Sequence, residues 1–284
     1  MWKCLIVIGI FSVLTACKST PPPEEPKPQQ ENPSAVLELT GMEAISVKRA
    51  AIHYRLTISN PRSQALNVQI KNWNGLLNGN PFDAHSAVLN VGGTPEAAFG
   101  TEPHSTIEKP LVLNLDLDGG TEYCAELALE LGYLYGHSGT ISDTVSVQVT
   151  FPGILEPEFA ITSITILQAD LINTRLKLGM RISNPNIFPV TLSSFRFQLY
   201  GDGNFWADGT EKDLSVIPAQ ASVDTGITID MNFIGMRRGI LDDIIAMRQV
   251  HYRIAGNVEV GTDTSWLPVF RKNFDLSGFS PVLK

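Results

Sequence analysis

The chain has 284 residues, a formal net charge of −8, 43% hydrophobic residues, 18% charged residues and three cysteines. That length accommodates two domains of ordinary size, and the apolar content is that of a folded chain, not a disordered one. An acidic sequence with no basic stripe excludes the electrostatic footprint of a nucleic-acid binder, and the low charge points to sheets faced with Thr, Ser and Asn.

Met1-Trp2-Lys3 supplies one positive charge, and Leu5 to Leu14 is an apolar run broken only by Ser12. A charged start and a short apolar stretch followed by small residues is the pattern of an export signal, and it is shorter than a bilayer span. Leu14-Thr15-Ala16-Cys17 resembles a bacterial lipobox. The resemblance implies that residues 1–16 are removed and that Cys17 carries the lipid. Its rules for the residue after the cysteine, here Lys18, favour the outer membrane. Residues 17–34 then form a tether. Lys18 to Ser34 holds six prolines and no large apolar side chain, so in polyproline geometry it reaches ~50 Å. With Cys4 removed and Cys17 lipidated, Cys124 is the one thiol of the mature chain, which excludes an internal disulfide.

Beyond the tether the sequence repeats. Leu56-Thr57-Ile58-Ser59-Asn60-Pro61 matches Met180-Arg181-Ile182-Ser183-Asn184-Pro185 at an offset of 124 residues. Leu111, Leu113, Leu115 and Leu117 match Ile227, Ile229, Met231 and Phe233 at an offset of 116. Two blocks in the same order predict tandem domains, 35–156 and 157–284. In each, apolar residues alternate with polar ones, as in Ile52, Tyr54, Leu56 and Ile58 or Leu176, Leu178, Met180 and Ile182. That period predicts antiparallel strands with one buried face, in a mainly β sandwich. Turns are predicted at Asn78-Gly79-Asn80-Pro81, Gly92-Gly93, Gly201-Asp202-Gly203 and Asp208-Gly209. Helical spacing of Tyr123, Leu127 and Leu134, and of Leu241, Ile244, Ile245 and Arg248, predicts one short helix per domain, at about 121–135 and 238–250. A closing strand follows each, Thr144 to Phe151 and Tyr252 to Val260.

Asn60-Pro61 and Asn184-Pro185-Asn186 end amphipathic strands, where Pro stops the ladder and Asn bonds its own turn. The second instance is followed by Val190-Thr191-Leu192, the aromatic strand Phe195 to Gly201, and Tyr252-Arg253-Ile254-Ala255-Gly256-Asn257-Val258-Glu259-Val260. Together these resemble the type 2 late-embryogenesis-abundant family, whose module is also called the water-stress and hypersensitive-response domain. The resemblance covers most of 160–275; residues 35–156 are a divergent copy, with Arg62 where the second Asn stands and an insertion near Val91 to Gly100. It implies an immunoglobulin- or fibronectin-III-like sandwich with a helix, and a role in desiccation and stress tolerance without an active site.

The residues themselves offer little chemistry. His53, His85, His104, His137 and His251 are scattered and form no metal-binding spacing. Asp116-Leu117-Asp118-Gly119-Gly120 begins like a calcium loop but has Leu127 where the bidentate Glu belongs, and it reads as carboxylates entering a helix, as do Asp242-Asp243. Gly136-His137-Ser138-Gly139 has its glycines misplaced for a nucleophile elbow. Cys124 reads as a buried, inert thiol. Trp73 and Trp266 sit near turns or a strand end; Trp206 is either a core residue or an exposed aromatic tip for a partner. The expectation is a membrane-anchored, non-enzymatic stress-protection or structural module with no cofactor, metal or nucleic acid. The alternative is a cell-envelope binding protein whose loops engage a protein or glycan.

Overall fold

The computed structural model describes residues 31–82, 87–91, 98–136, 140–168, 174–231 and 249–283. Among them every regular element is a strand. The strands are β1 (Ser34–Ser46), β2 (Arg49–Asn60), β3 (Leu66–Leu77), β4 (Asn80–Pro81), β5 (Ala87–Val91), β6 (Ala98–Thr101), β7 (Ser105–Asp116), β8 (Glu122–Leu134) and β9 (Ile141–Pro152). They continue with β10 (Glu158–Gln168), β11 (Thr174–Ser183), β12 (Val190–Gly201), β13 (Asn204–Ile217), β14 (Ser222–Met231), β15 (Gln249–Thr262) and β16 (Val269–Leu283).

Three sheets result, ordered β1-β2-β7-β5, β4-β3-β8-β9 with β6 also on β3, and β13-β12-β15-β16-β10-β11-β14. Ladders among the described residues are antiparallel except a short parallel bridge, Ile164 to Val282 and Thr165 to Leu283. None joins a strand before Pro152 to one after Glu158. The sheets close over their apolar faces: β1 lies against β9, and β13 against β14. Ile52, Tyr54, Leu56 and Ile58 of β2, with Leu111, Leu113 and Leu115 of β7, are buried together with the inward side chains of β8. Alternation in sequence has become one dry face per strand, as the two-residue period requires.

The region predicted as a helix at 121–135 is strand β8. Tyr123, Ala125, Leu127, Leu129, Leu131 and Tyr133 are all buried, a two-residue period that the helical triplet had masked. Leu, Ala and Glu suit either state locally; pairing to β3 on one side and β9 on the other decides between them. The second expected helix lies outside the described residues apart from Gln249 and Val250, which open β15. Asp208-Gly209 is not a turn but mid-strand, paired with Gln198 and Phe197. Gly92-Gly93 lies outside the described residues.

Thr144 to Phe151 lies within β9, but the second expected closing strand needs correction. Tyr252 to Val260 belongs to β15, which is followed by β16. Asn78-Gly79 (φ 52° and 81°) and Asp202-Gly203 (φ 48° and 78°) make matching tight turns with left-handed backbone at both positions. Asn78 Oδ1 accepts from Cys124 N–H at 2.8 Å, and Asp202 Oδ1 from His251 N–H at 3.1 Å. Cys124 on β8 and His251 on β15 thus hold the same hydrogen-bonded position beside their turns. Left-handed His104 (φ 48°) and Gln220 (φ 51°) recur at the 116-residue offset.

Candidate functional site at the junction of the two halves

Each Asn-Pro strand end is a knot of buried amide. Asn184, 2% exposed, donates through Nδ2 to the carbonyls of Phe188 (2.8 Å), Ile217 (3.2 Å) and Pro218 (3.1 Å). Its Oδ1 accepts from the Asn186 backbone N–H (3.0 Å) and Asn186 Nδ2 (2.9 Å). Asn60 does the same on a smaller scale, donating to the carbonyls of Gln64 (2.8 Å) and Glu102 (3.0 Å). Its Oδ1 accepts from Arg62 N–H (3.2 Å) and the Tyr135 hydroxyl (2.9 Å). A planar carboxamide supplies donors and acceptor together, which is what several converging backbone groups need when water is excluded. Pro61 and Pro185 end the ladders without leaving a buried N–H unpaired.

Asn186 does more than the turn. Its side chain grips the Leu155 peptide on both sides, accepting from Leu155 N–H at 2.7 Å and donating to Leu155 C=O at 2.8 Å. Where Arg62 replaces it, the guanidinium lies 4.4 Å over the Tyr135 ring and donates to the Glu31 carbonyl and Asn32. One half thus uses this position to hold the connecting segment, the other to hold the start of the described chain.

Beside that grip the halves touch directly. Trp266, 4% exposed, meets Phe151 edge-on at 5.7 Å, and Phe151 in turn packs on Tyr123 at 5.5 Å. The Trp266 carbonyl accepts from Ala44 N–H at 2.8 Å, and Lys272 pairs with Glu156 at 2.7 Å. An open groove of about 720 Å³ follows this seam, floored by apolar side chains including Met42, Val149, Phe151, Phe188 and Trp266. Leu39 and Ile187 on its rim are 42% and 52% exposed. Glu122 and Asp263 also line it, and no basic residue does among the described lining. Sequence reading missed this groove, since its residues come from segments more than two hundred positions apart.

A family model described as late embryogenesis abundant protein (LEA_2) matches residues 180–273. That segment belongs to the type 2 late-embryogenesis-abundant family. The match begins on β11, contains the whole Asn184 knot and Trp266, and ends within β16. No curated protein matches the chain. Among solved structures, a protein from Archaeoglobus fulgidus is 12% identical over 45% of this chain and 96% of its own, with a TM-score of 0.29. AT1g01470 from Arabidopsis thaliana is 13% identical over 47% and 86%, with a TM-score of 0.37. A Bacteroides uniformis beta-glucuronidase is 11% identical over 81% and 26%, with a TM-score of 0.27. Scores this low assign neither fold nor activity.

Within and beyond the late-embryogenesis-abundant segment, the other singled-out residues fall into place. Trp206 is 3% exposed, its indole lying over Gly201, where any Cβ would collide with the ring; of its two readings from the sequence, this is the core one. Phe205 beside it is the exposed aromatic. Asp118 is spent on its turn, accepting from the Tyr123 hydroxyl at 2.9 Å and Gly120 N–H at 3.2 Å, and a strand, not a helix, follows. Burial, and next the hydrogen bond to Asp118, push the Tyr123 hydroxyl pKa up. Cys124 is half-buried on β8, its Sγ accepting from Gln148 at 2.6 Å. Trp73 is half-buried against Phe82. His53 is half-exposed, 3.4 Å from Glu43, while His104 is a turn residue and His251 lies beside Phe279. Cys17, His85, His137 to Gly139 and Asp242-Asp243 lie outside the described residues. Among those described, no three or more His, Cys, Asp or Glu side chains are grouped to hold a metal ion.

Proposed function

We propose that this chain is an exported, lipid-anchored protein built from two copies of an immunoglobulin-like sandwich, 35–156 and 157–284, acting as a structural or protective module without catalysis. The observation that carries the reading is the family match at 180–273, which brings an association with stress and desiccation. The two-copy reading is supported by knots, left-handed turns and ladders recurring at matched offsets in both halves. On this reading Asn60, Pro61, Asn184, Pro185 and Asn186 are structural. Their amides are engaged by backbone groups, by one another and by the Tyr135 hydroxyl.

Cys17 attaches the lipid, and the Pro-rich tether holds the folded part away from an outer-membrane surface. Replacing Cys17 with Ser is expected to move the protein from the detergent-extracted membrane fraction to the soluble export fraction; retention in the membrane refutes the anchor. Residues 18–284 are expected to preserve a drying-sensitive enzyme through dehydration better than an equal mass of albumin. Protection no better than albumin refutes the protective role. With Trp206 in the core, the alternative of an envelope binding protein loses its loop-tip anchor.

A further inference from the structure

The groove at the seam combines three features that stand apart from the protective reading. Its floor is apolar and aromatic, with Met42, Phe151 and Trp266 drawn from both halves. Its volume of about 720 Å³ falls in the range of small-molecule sites, roughly 300–1,000 Å³. Its charge is of one sign: Glu122 and Asp263 line it, neither forms an ion pair among the described residues, and no Lys, Arg or His of the described lining balances them.

We propose that this groove binds small amphiphilic cations, an ammonium group carried on an apolar body. The apolar body gains by leaving water against Met42, Phe151 and the exposed Ile187. The ammonium remains at the rim, where two carboxylates favour it and would repel an anionic head. A neutral alkyl chain meets the same floor without that gain, so charge sets the selectivity and the floor sets the base affinity. Because the floor is shared, a bound molecule braces the two halves against each other and stabilises the chain by mass action.

The test uses residues 18–284 with octylammonium, octanol and octanoate, all below micelle formation, followed by tryptophan fluorescence and calorimetry. Octylammonium is expected to bind saturably at one site, about tenfold tighter than octanoate, with the preference shrinking as salt rises. The double variant Glu122→Gln/Asp263→Asn is expected to lose that preference while octanol binding stays within twofold. Both side chains are exposed, so the variant keeps its fold, which an unchanged thermal midpoint verifies. Ile187→Lys, placing a cation at the exposed rim, is expected to abolish octylammonium binding. Non-saturating uptake, equal affinity for octanoate, or unchanged preference in either variant overturns the proposal.

Discussion

Removing the Asn184 side chain is the sharpest perturbation of the fold. Its two amide hydrogens serve three carbonyls and its Oδ1 accepts two N–H groups, equivalent to about four hydrogen bonds. At about 1 kcal/mol each, with extra cost for buried groups left unpaired, Asn184→Ala should lose about 3–5 kcal/mol. That is a fifth or more of the stability of an ordinary domain, about 5–15 kcal/mol. Asn184→Asp separates hydrogen bonding from shape. It keeps Oδ1 for the Asn186 N–H but turns a bare oxygen toward the carbonyls of Phe188, Ile217 and Pro218. At neutral pH it should be worse than Ala. Burial among acceptors raises the folded pKa of this carboxyl above its unfolded value, so the deficit should shrink as pH falls and the acid form regains a donor. Urea titrations of residues 18–284 at pH 7 and 5 measure both variants. A loss under about 1 kcal/mol for Asn184→Ala, or an Asp variant as stable as wild type at pH 7, refutes the knot as a principal tie.

The remaining predictions concern other parts of the core and surface. Tyr54 is 1% exposed and its hydroxyl has no partner among the described residues, so Tyr54→Phe should raise stability by about 1 kcal/mol or more in urea melts. Burial raises the Tyr54 pKa; its contribution is present below about pH 10 and lost as pH rises, so the Phe variant should also resist alkaline unfolding better. Gly256→Ala should cost more than about 2 kcal/mol of stability, read as a lowered thermal midpoint, because a Cβ there falls on the Arg196 carbonyl in the neighbouring strand; a neutral result refutes the packing. Hydrogen bonds from Arg49, Arg181 and Arg253 hold Asp116, Asp224 and Asp275 below the ordinary carboxylate range. Their contribution is present above about pH 4 and lost as pH falls through the depressed values, so any destabilisation by Asp224→Asn at pH 7 should vanish in acid.

What the sequence determined by itself was whatever short-range chemistry can specify. Alternation in Ile52 to Ile58 and Leu176 to Ile182 specified strands and their buried faces, because a two-residue period leaves one set of side chains on the core. Asn78-Gly79 and Asp202-Gly203 specified tight turns, because few residues accept left-handed backbone. The motif strands specified the family of 180–273. Tertiary structure decided the rest. Tyr123 to Leu134 carries a helical triplet beside an alternating stripe, and hydrogen bonding by β3 and β9 on its two sides selects the strand. Asp208-Gly209 looks like a turn until β12 pairs with it, Gly209 being small because the Phe197 ring occupies the space of a Cβ. The groove was illegible for a different reason. Met42, Phe151 and Trp266 share no local pattern; they meet because Asn186 grips the Leu155 peptide and Trp266 docks on Phe151, contacts between segments that chain order does not bring together.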